Sequence, residues 1–440
     1  MQSRIAITTL VALALVACAP DKIPTEVATT TPSLDRDGRG DDDDNDDGED
    51  KDNQGGRGAV YTMSNEPTGN RVVVFNREKD GMLTPGGSFA TGGTGSGGFE
   101  DTANGLVLGS TRGESAPNNL IGSSKFLFAT NAGSNSISVF RVKKNGLDLV
   151  EVQDSNGEKP VSVTVNRGLV YVLNSGETID GLVPPNCEEG IPSVTGFVID
   201  GNGALTPIPG STRILSMAGT DPSGCAQVSF NPKGTVLVVT ERTAKTATQA
   251  PGDEGVINTF VVNKDGTLGQ RRRYDATGQG PFGFTFNKSG ALLTTEQFDG
   301  AAGPFEGAAA GYRLNDDGTL TPTSPSVKNG GTDTCWFVVT DNGMFGYTAS
   351  FFDDGQISLY RVGRDGSLEL VESDADGGAA TTGASDMALS RNSHFLYQLN
   401  SLEGTINAFR VNSNGSLTFL QTVLATRPDP MGATLGLAAR

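Results

Sequence analysis

The chain predicts an all-β fold, a seven-bladed β-propeller of four-stranded antiparallel blades. Three observations carry this: 60 glycines with only 19% charged residues, short strand-like apolar runs, and one turn signature that recurs seven times. Abundant Gly and few helix-forming runs argue against a helical protein. The signature is Asp or Asn, then Gly, then an apolar residue one or two places on. It falls at Asp80-Gly81, Asn145-Gly146, Asn202-Gly203, Asp265-Gly266, Asp317-Gly318, Asp365-Gly366 and Asn414-Gly415. Gly81 to Gly415 spans 334 residues over six intervals, a mean period of about 56, which is the repeat of a propeller blade. Such dipeptides favour tight hairpin turns matched to strand twist.

Each repeat has the same order of strands, here A (innermost) to D (outermost). Strand B is apolar and ends on a small or polar residue, as in Lys125-Phe-Leu-Phe-Ala-Thr130 and Val236-Leu-Val-Val-Thr240. Strand C alternates, as in Ser136-Ile-Ser-Val-Phe140 and Thr405-Ile-Asn-Ala-Phe409. Alternation of apolar and polar residues marks a half-buried strand. The glycine turn follows, then a weak strand D. A strand with small residues then opens the next blade, as in Ala226-Gln-Val-Ser-Phe230 and Trp336-Phe-Val-Val-Thr340. The first repeat begins at strand B, Ala59 to Met63. Its strand A is expected from the C-terminus, Gly432 to Leu437, so that three N-terminal strands and one C-terminal strand close the ring.

Two segments precede the repeats. Arg4 followed by the apolar run Ile5 to Val16 reads as a targeting signal, too short to span a bilayer. It ends in Leu15-Val16-Ala17-Cys18, which resembles a bacterial lipobox and predicts lipidation of Cys18 and cleavage before it. Ala19 follows where an inner-membrane retention signal would place Asp. The expected location is the cell envelope, lipid-anchored at the outer membrane or cell surface; an ordinary secretory signal is the alternative. Residues 18–58 read as an acidic tether. Asp35 to Asp52 holds eleven acidic and three basic residues, so like charges repel and extend it.

Lys and Arg number 33 against 51 Asp and Glu, a net charge of −18, so no nucleic-acid partner is expected. The single histidine, His394, weakens any chemistry built on a His base. No cofactor is expected, with calcium at carboxylates of the channel mouth left open. Asp43 to Gly48 mimics the opening of an EF-hand loop, but Gln54 occupies its twelfth position and no helices flank it. Gly93 to Gly98 fits G-x-G-x-x-G without a βαβ unit around it, and reads as a loop.

The segments Asn131-Ala-Gly-Ser-Asn-Ser-Ile-Ser-Val-Phe-Arg-Val142, Leu237-Val-Val-Thr-Glu-Arg242 and Thr334-Cys-Trp-Phe-Val-Val-Thr340 resemble the lactonase family of seven-bladed propellers. That family includes propeller-type bacterial 6-phosphogluconolactonases and fungal carboxymuconate-lactonizing enzymes. The resemblance spans residues 59–440 and implies a lactone hydrolase. The chain departs from the family in lacking a Pro-His pair before an inner strand. The corresponding stretches are Pro222-Ser-Gly-Cys-Ala226, Pro281-Phe-Gly283, Asp333-Thr-Cys-Trp336 and Ala384-Ser-Asp-Met387.

Loops D–A and B–C share one face of a propeller and surround its channel mouth. The residues expected there are Asn131, Asn174, Glu241, Arg242, Glu296, Asp333, Cys335 and Asp386. Lactone hydrolysis needs a base for water and a donor for the oxyanion. Glu241 or Glu296 is the candidate base and Arg242 the candidate oxyanion partner. Asn131, Asn174, Asp333, Cys335 and Asp386 are candidates to bind the ligand. The alternative is that these groups only shape a pocket in a non-catalytic surface propeller that binds a protein or a glycan. Cys187, in a long B–C insertion, and Cys225, before the next inner strand, should reach the same face and are expected to form a disulfide. Cys335 then remains buried beside Trp336. The expected partners are a small lactone or surface ligand, and the membrane through Cys18; the protein is expected as a monomer.

Overall fold

The computed structural model describes residues 57–98, 100, 102–110, 125–176, 191–216, 223–244, 246, 248–249, 254–426 and 435–440. Cys18, Cys187 and residues 18–56 of the acidic tether lie outside them, while Gly58, expected in the tether, opens the first strand. Seven antiparallel sheets follow one another along the chain, and six are made of consecutive strands. The seventh joins Leu435–Ala439 to Gly58–Met63, Arg71–Arg77 and Leu83–Ala90. The ring therefore closes as expected, with the closing strand beginning three residues later and ending two later than the sequence suggested. Its pairing runs Val60 to Ala439, Tyr61 to Ala438 and Thr62 to Leu437.

The inner strands of blades 2 to 7 are Leu106–Gly109, Pro160–Asn166, Cys225–Phe230, Pro281–Phe286, Thr334–Val339 and Ala384–Leu389. Strand B of each blade is buried along its length, which is why it reads as an apolar run. Strand D is largely exposed and reads weakly. In blade 3 the outer position is divided between Leu205–Pro207 and Arg213–Ile214. Six of the seven inner strands carry a register shift near their first residue, where a bulge re-aims the backbone at the channel end.

The recurring Asp/Asn-Gly pair does more than turn the chain. At Asn145-Gly146 the hairpin is tight, but its two loop residues are Lys144 and Asn145, and Gly146 pairs with Lys143 as the first residue of the next strand. At five of the other pairs the longer loop is closed by the pair's own Asp or Asn side chain, and at Asn202-Gly203 by Asp200, which accepts the Ala204 N–H at 2.9 Å. Asp80 Oδ1 accepts the N–H of Met82 at 3.0 Å, and Asp265, Asp317, Asp365 and Asn414 do the same two residues on. The Thr267 hydroxyl and N–H hold the Asp265 carboxyl below the usual range. This Asx closure, rather than the tight turn expected from the dipeptide, is what the Asp supplies.

The glycine of the same pair locks each blade to the one before it. Gly81 has φ +92°, and a Cβ there would lie 2.2 Å from the Phe395 ring of blade 7. Gly203 and Gly415 meet Phe126 and Phe345 of their preceding blades in the same way. Beside these rings, Tyr171, Tyr347 and Tyr397 donate to the carbonyls of Gly266, Gly415 and Gly81 at 2.7, 2.7 and 3.0 Å. Tyr397 thus joins the last blade to the first. Tyr397→Phe leaves a buried carbonyl unsatisfied and is expected to cost about 1–2 kcal/mol. A denaturation midpoint equal to that of the wild type would refute that role.

Candidate functional site at the channel mouth

The last residues of the seven B strands are Met63, Asn131, Asn174, Glu241, Glu296, Ser350 and Asn400. They form a ring of equivalent positions on the face of the D–A and B–C loops. The side chains of Asn174, Glu241, Glu296 and Asn400 grip the loop that enters their own blade, while Asn131 bonds its own strand C and blade 1. Glu241 accepts the Ser216 N–H at 2.9 Å and the hydroxyls of Ser216 and Ser223, and Asn258 Nδ2 donates to it at 2.6 Å. Glu296 accepts the Thr277 hydroxyl at 2.8 Å, the Gly278 N–H at 2.7 Å and the Ser326 hydroxyl at 2.6 Å. Asn174 donates to the Ser155 carbonyl at 3.4 Å, and Asn400 accepts the Thr381 N–H at 3.3 Å. Asn131 donates to Ser138 Oγ at 2.8 Å and accepts from Asn70 Nδ2 at 3.1 Å.

Glu241 and Glu296 are both fully buried, with partners on outer strands and entering loops. Their carboxylates thus face outward from the ring axis and hold loops in place. Burial pushes the Glu296 carboxyl up, opposed by the Ser326, Thr277 and Gly278 hydrogen bonds. Arg242 follows Glu241 half-buried, and its N–H donates to the Gly224 carbonyl at 3.0 Å. These contacts explain why polar residues end a buried strand: Glu241, Glu296 and Asn400 satisfy loop N–H groups, and Asn174 a loop carbonyl, that the fold hides from water.

The mouth itself is filled from the inner strands. Ala103, Ala226, Phe282, Trp336 and Met387 belong to one buried cluster. Phe282 and Trp336 meet edge to face at 5.5 Å, and Trp336 lies 6.3 Å from Phe351. The segment entering blade 2 crosses this centre. Ala103 N–H donates to the Ala226 carbonyl of blade 4, and Val163 N–H of blade 3 donates to the Asn104 carbonyl, both at 3.0 Å. Gly283 is required here, because a Cβ would lie 2.3 Å from the Cys335 carbonyl.

Asp386 stands at this centre. It holds the position on its inner strand that Ser162 and Gln227 hold on theirs. Those two accept the N–H groups of Val228 and Phe284 on the next inner strand, and Asp386 likewise accepts the N–H of Gly436 at 3.2 Å. It also accepts a backbone hydrogen bond from Asn104. It is 6% exposed, and burial pushes its carboxyl up to about 7, against the pull of those two N–H donors. Desolvation disfavours the carboxylate more than the two donors favour it.

Asp333 adopts φ +62° and its carboxylate accepts the Cys335 thiol at 3.1 Å. Cys335 keeps its thiol and is fully buried, in the same apolar cluster as Trp336. Cys225 is disulfide-bonded, and its partner lies outside the described residues, as does Cys187. His394 lies exposed before strand B of blade 7, on the opposite face. Among the described residues, no group of three or more His, Cys, Asp or Glu is placed to hold a metal ion, and no helix is long and apolar enough to cross a membrane.

One charged pair at this face went unread in the sequence. Glu100 and Lys159 lie in the loops entering blades 2 and 3, both buried. Burial pushes the Glu100 carboxyl up and the Lys159 ammonium down, and each partly offsets the other by its charge. The available signal was position: both precede an inner strand, as Asp333 does.

Structures that share this architecture bear on its use. The chain is similar to a candidate 6-phosphogluconolactonase of Bacteroides fragilis, with 15% identity and a TM-score of 0.60 over 87% of this chain and 98% of that one. A candidate 6-phosphogluconolactonase of Bacteroides uniformis gives 15% identity and a TM-score of 0.61 over 84% and 98%. The periplasmic gluconolactonase PpgL of Pseudomonas aeruginosa gives 15% and 0.60 over 85% and 98%. The fold is therefore that of a lactonase-like seven-bladed propeller. No family model matches the sequence, and no curated protein matches it.

Proposed function

We propose that the chain is an extracytoplasmic lactonase-like hydrolase that opens a small cyclic ester at the D–A and B–C face, carried on a lipid at Cys18. The observation that supports it most is Asp386, a carboxyl at the ring centre whose pKa lies near 7. A base works best when its pKa matches the working pH. Asp386 would take a proton from water as the water oxygen bonds to the lactone carbonyl carbon. The ring C–O bond then breaks, and the ring oxygen takes up a proton to leave a hydroxy acid. A cation on the same face, Arg242 or Lys159, would steady the oxyanion. Glu241 and Glu296, the bases suggested by the sequence, are better suited to fixing the loops that carry these groups.

A lactone panel with the full chain tests this. Wild-type turnover should rise with pH through about 7, since only the ionised carboxylate accepts a proton. Asp386→Asn is expected to reduce turnover roughly 100-fold or more. Glu241→Gln and Glu296→Gln, if folded, should retain most of it. Full activity of Asp386→Asn would remove it as the base, and an inactive wild type would reject the hydrolase.

The second reading is a non-catalytic surface propeller that binds a protein or glycan. The apolar filling of the mouth by Phe282, Trp336 and Met387 favours it, because it leaves little room for substrate there.

A further inference from the structure

A cleft of about 330 Å³ opens away from the ring axis, between blades 4 and 5, and we propose that it binds a neutral saccharide of one or two rings. It is lined by Arg273, Tyr274 and Asp275 of the outer strand of blade 4, Thr246 and Thr248 of its B–C loop, and Tyr312, Leu320 and Pro322 of blade 5. The volume lies at the lower end of small-molecule sites.

The lining is divided by chemistry. On one side the Asp275 carboxylate accepts the hydroxyls of both Thr246 and Thr248, the second at 2.8 Å. The two threonine hydroxyls also lie 2.9 Å apart, and the Thr248 N–H donates to Thr246 Oγ1 at 3.4 Å, so the carboxylate and both hydroxyls form one oxygen-rich cluster. Carboxylate and threonine oxygens together therefore ask for a ligand rich in O–H donors. Arg273 adds a donor fork beside them, with one Nη donating to Ser216 Oγ at 3.0 Å. Tyr274 and Pro322 supply accessible flat or apolar surface over the buried Tyr312 and Leu320, which suits the C–H face of a sugar ring. One acidic and one basic side chain balance in charge, so the lining selects no ion.

The residues that set the chemistry are held rigidly. Tyr274 hydroxyl donates to the Gly318 carbonyl at 3.2 Å, and Tyr312 hydroxyl accepts the Thr277 N–H at 2.8 Å. Arg273 and Asp275 sit on a strand paired to Asn258 and Val256. The cleft therefore exists before any ligand arrives. Nothing in it depends on which reading of the channel mouth holds.

Calorimetric titration of the full chain with a panel of neutral mono- and disaccharides tests the proposal, with gluconate as an anionic comparison. At least one neutral sugar should bind saturably. Asp275→Ala and Tyr274→Ala should each weaken it 10-fold or more, with melting profiles confirming that both fold. His394→Ala, an exposed position on the opposite face outside both sites, should bind as the wild type does. Binding that survives both Asp275→Ala and Tyr274→Ala, binding of gluconate alone, or no binding across the panel would overturn it.

Discussion

A chain ending at Thr434 is expected to lose the closed ring. The segment removed carries strand A of blade 1. Its Leu435 and Ala438 pack against Ala59, Tyr61 and Met63, and its Leu437 and Ala439 against Val60 and Phe75. The two leucines alone contribute about 3–6 kcal/mol of burial. The backbone ladder to Gly58–Met63 goes with them, as does the Arg440 carbonyl that accepts from Ala59 N–H and Arg77 Nε. Whole-domain stabilities are only about 5–15 kcal/mol. The truncated chain should aggregate through the bared edge of the Gly58–Met63 strand, or melt roughly 10 °C lower or more. Leu437→Asp reports the same seam without shortening the chain, because it forces an unpaired charge between blades 7 and 1. A truncated chain that stays monomeric with an unchanged melting profile would mean that blade 1 does not need its C-terminal strand.

The second large effect is on stability against pH. Asp386 has an ordinary value of 3.8 and lies near 7 in the folded chain. Between those values the folded chain holds a proton that the unfolded chain has released. Stability from this group is therefore complete below about pH 4 and falls as pH rises to about 7. Three units correspond to roughly 4 kcal/mol. Glu100 and Glu296 are pushed in the same direction by burial, so the wild-type slope is shared among three carboxyls. Asp386→Asn cannot ionise, and should flatten the part of the slope that belongs to Asp386. Denaturant midpoints from pH 4 to 8 read this directly. Parallel wild-type and Asp386→Asn curves would show that Asp386 does not carry its proton to neutrality.

The two variants also separate fold from site. Truncation acts on the ring as a whole. Asp386→Asn leaves the sheets intact and changes one carboxyl at their centre. The turn glycines, the tyrosines under them and the closing strand together explain how a chain of weak outer strands remains a single ring: every blade is bonded to its neighbour, and the last to the first.

What could be read from the sequence was what repeats. Seven Asp/Asn-Gly pairs, buried B strands and alternating C strands are local patterns, set by backbone preference and by which side chains must leave water. Seven near-copies of them admit little but a closed radial ring. The end of strand B as a polar position at the mouth was legible for the same reason. The direction in which those side chains point was not. Glu241 and Glu296 look like mouth carboxylates in the chain, yet they turn outward to Asn258, Ser326 and the entering loops. Asp386 looks like another loop carboxylate, yet it lies at the centre beneath Asn104 and Gly436, from two other blades. The burial of Glu100 and Lys159, and the cleft between blades 4 and 5, likewise arise from residues far apart in the chain. Local sequence sets strand and turn because each depends on a few neighbouring residues. Desolvation and the aim of a side chain depend on what distant blades bring against it, and only the packed ring decides that.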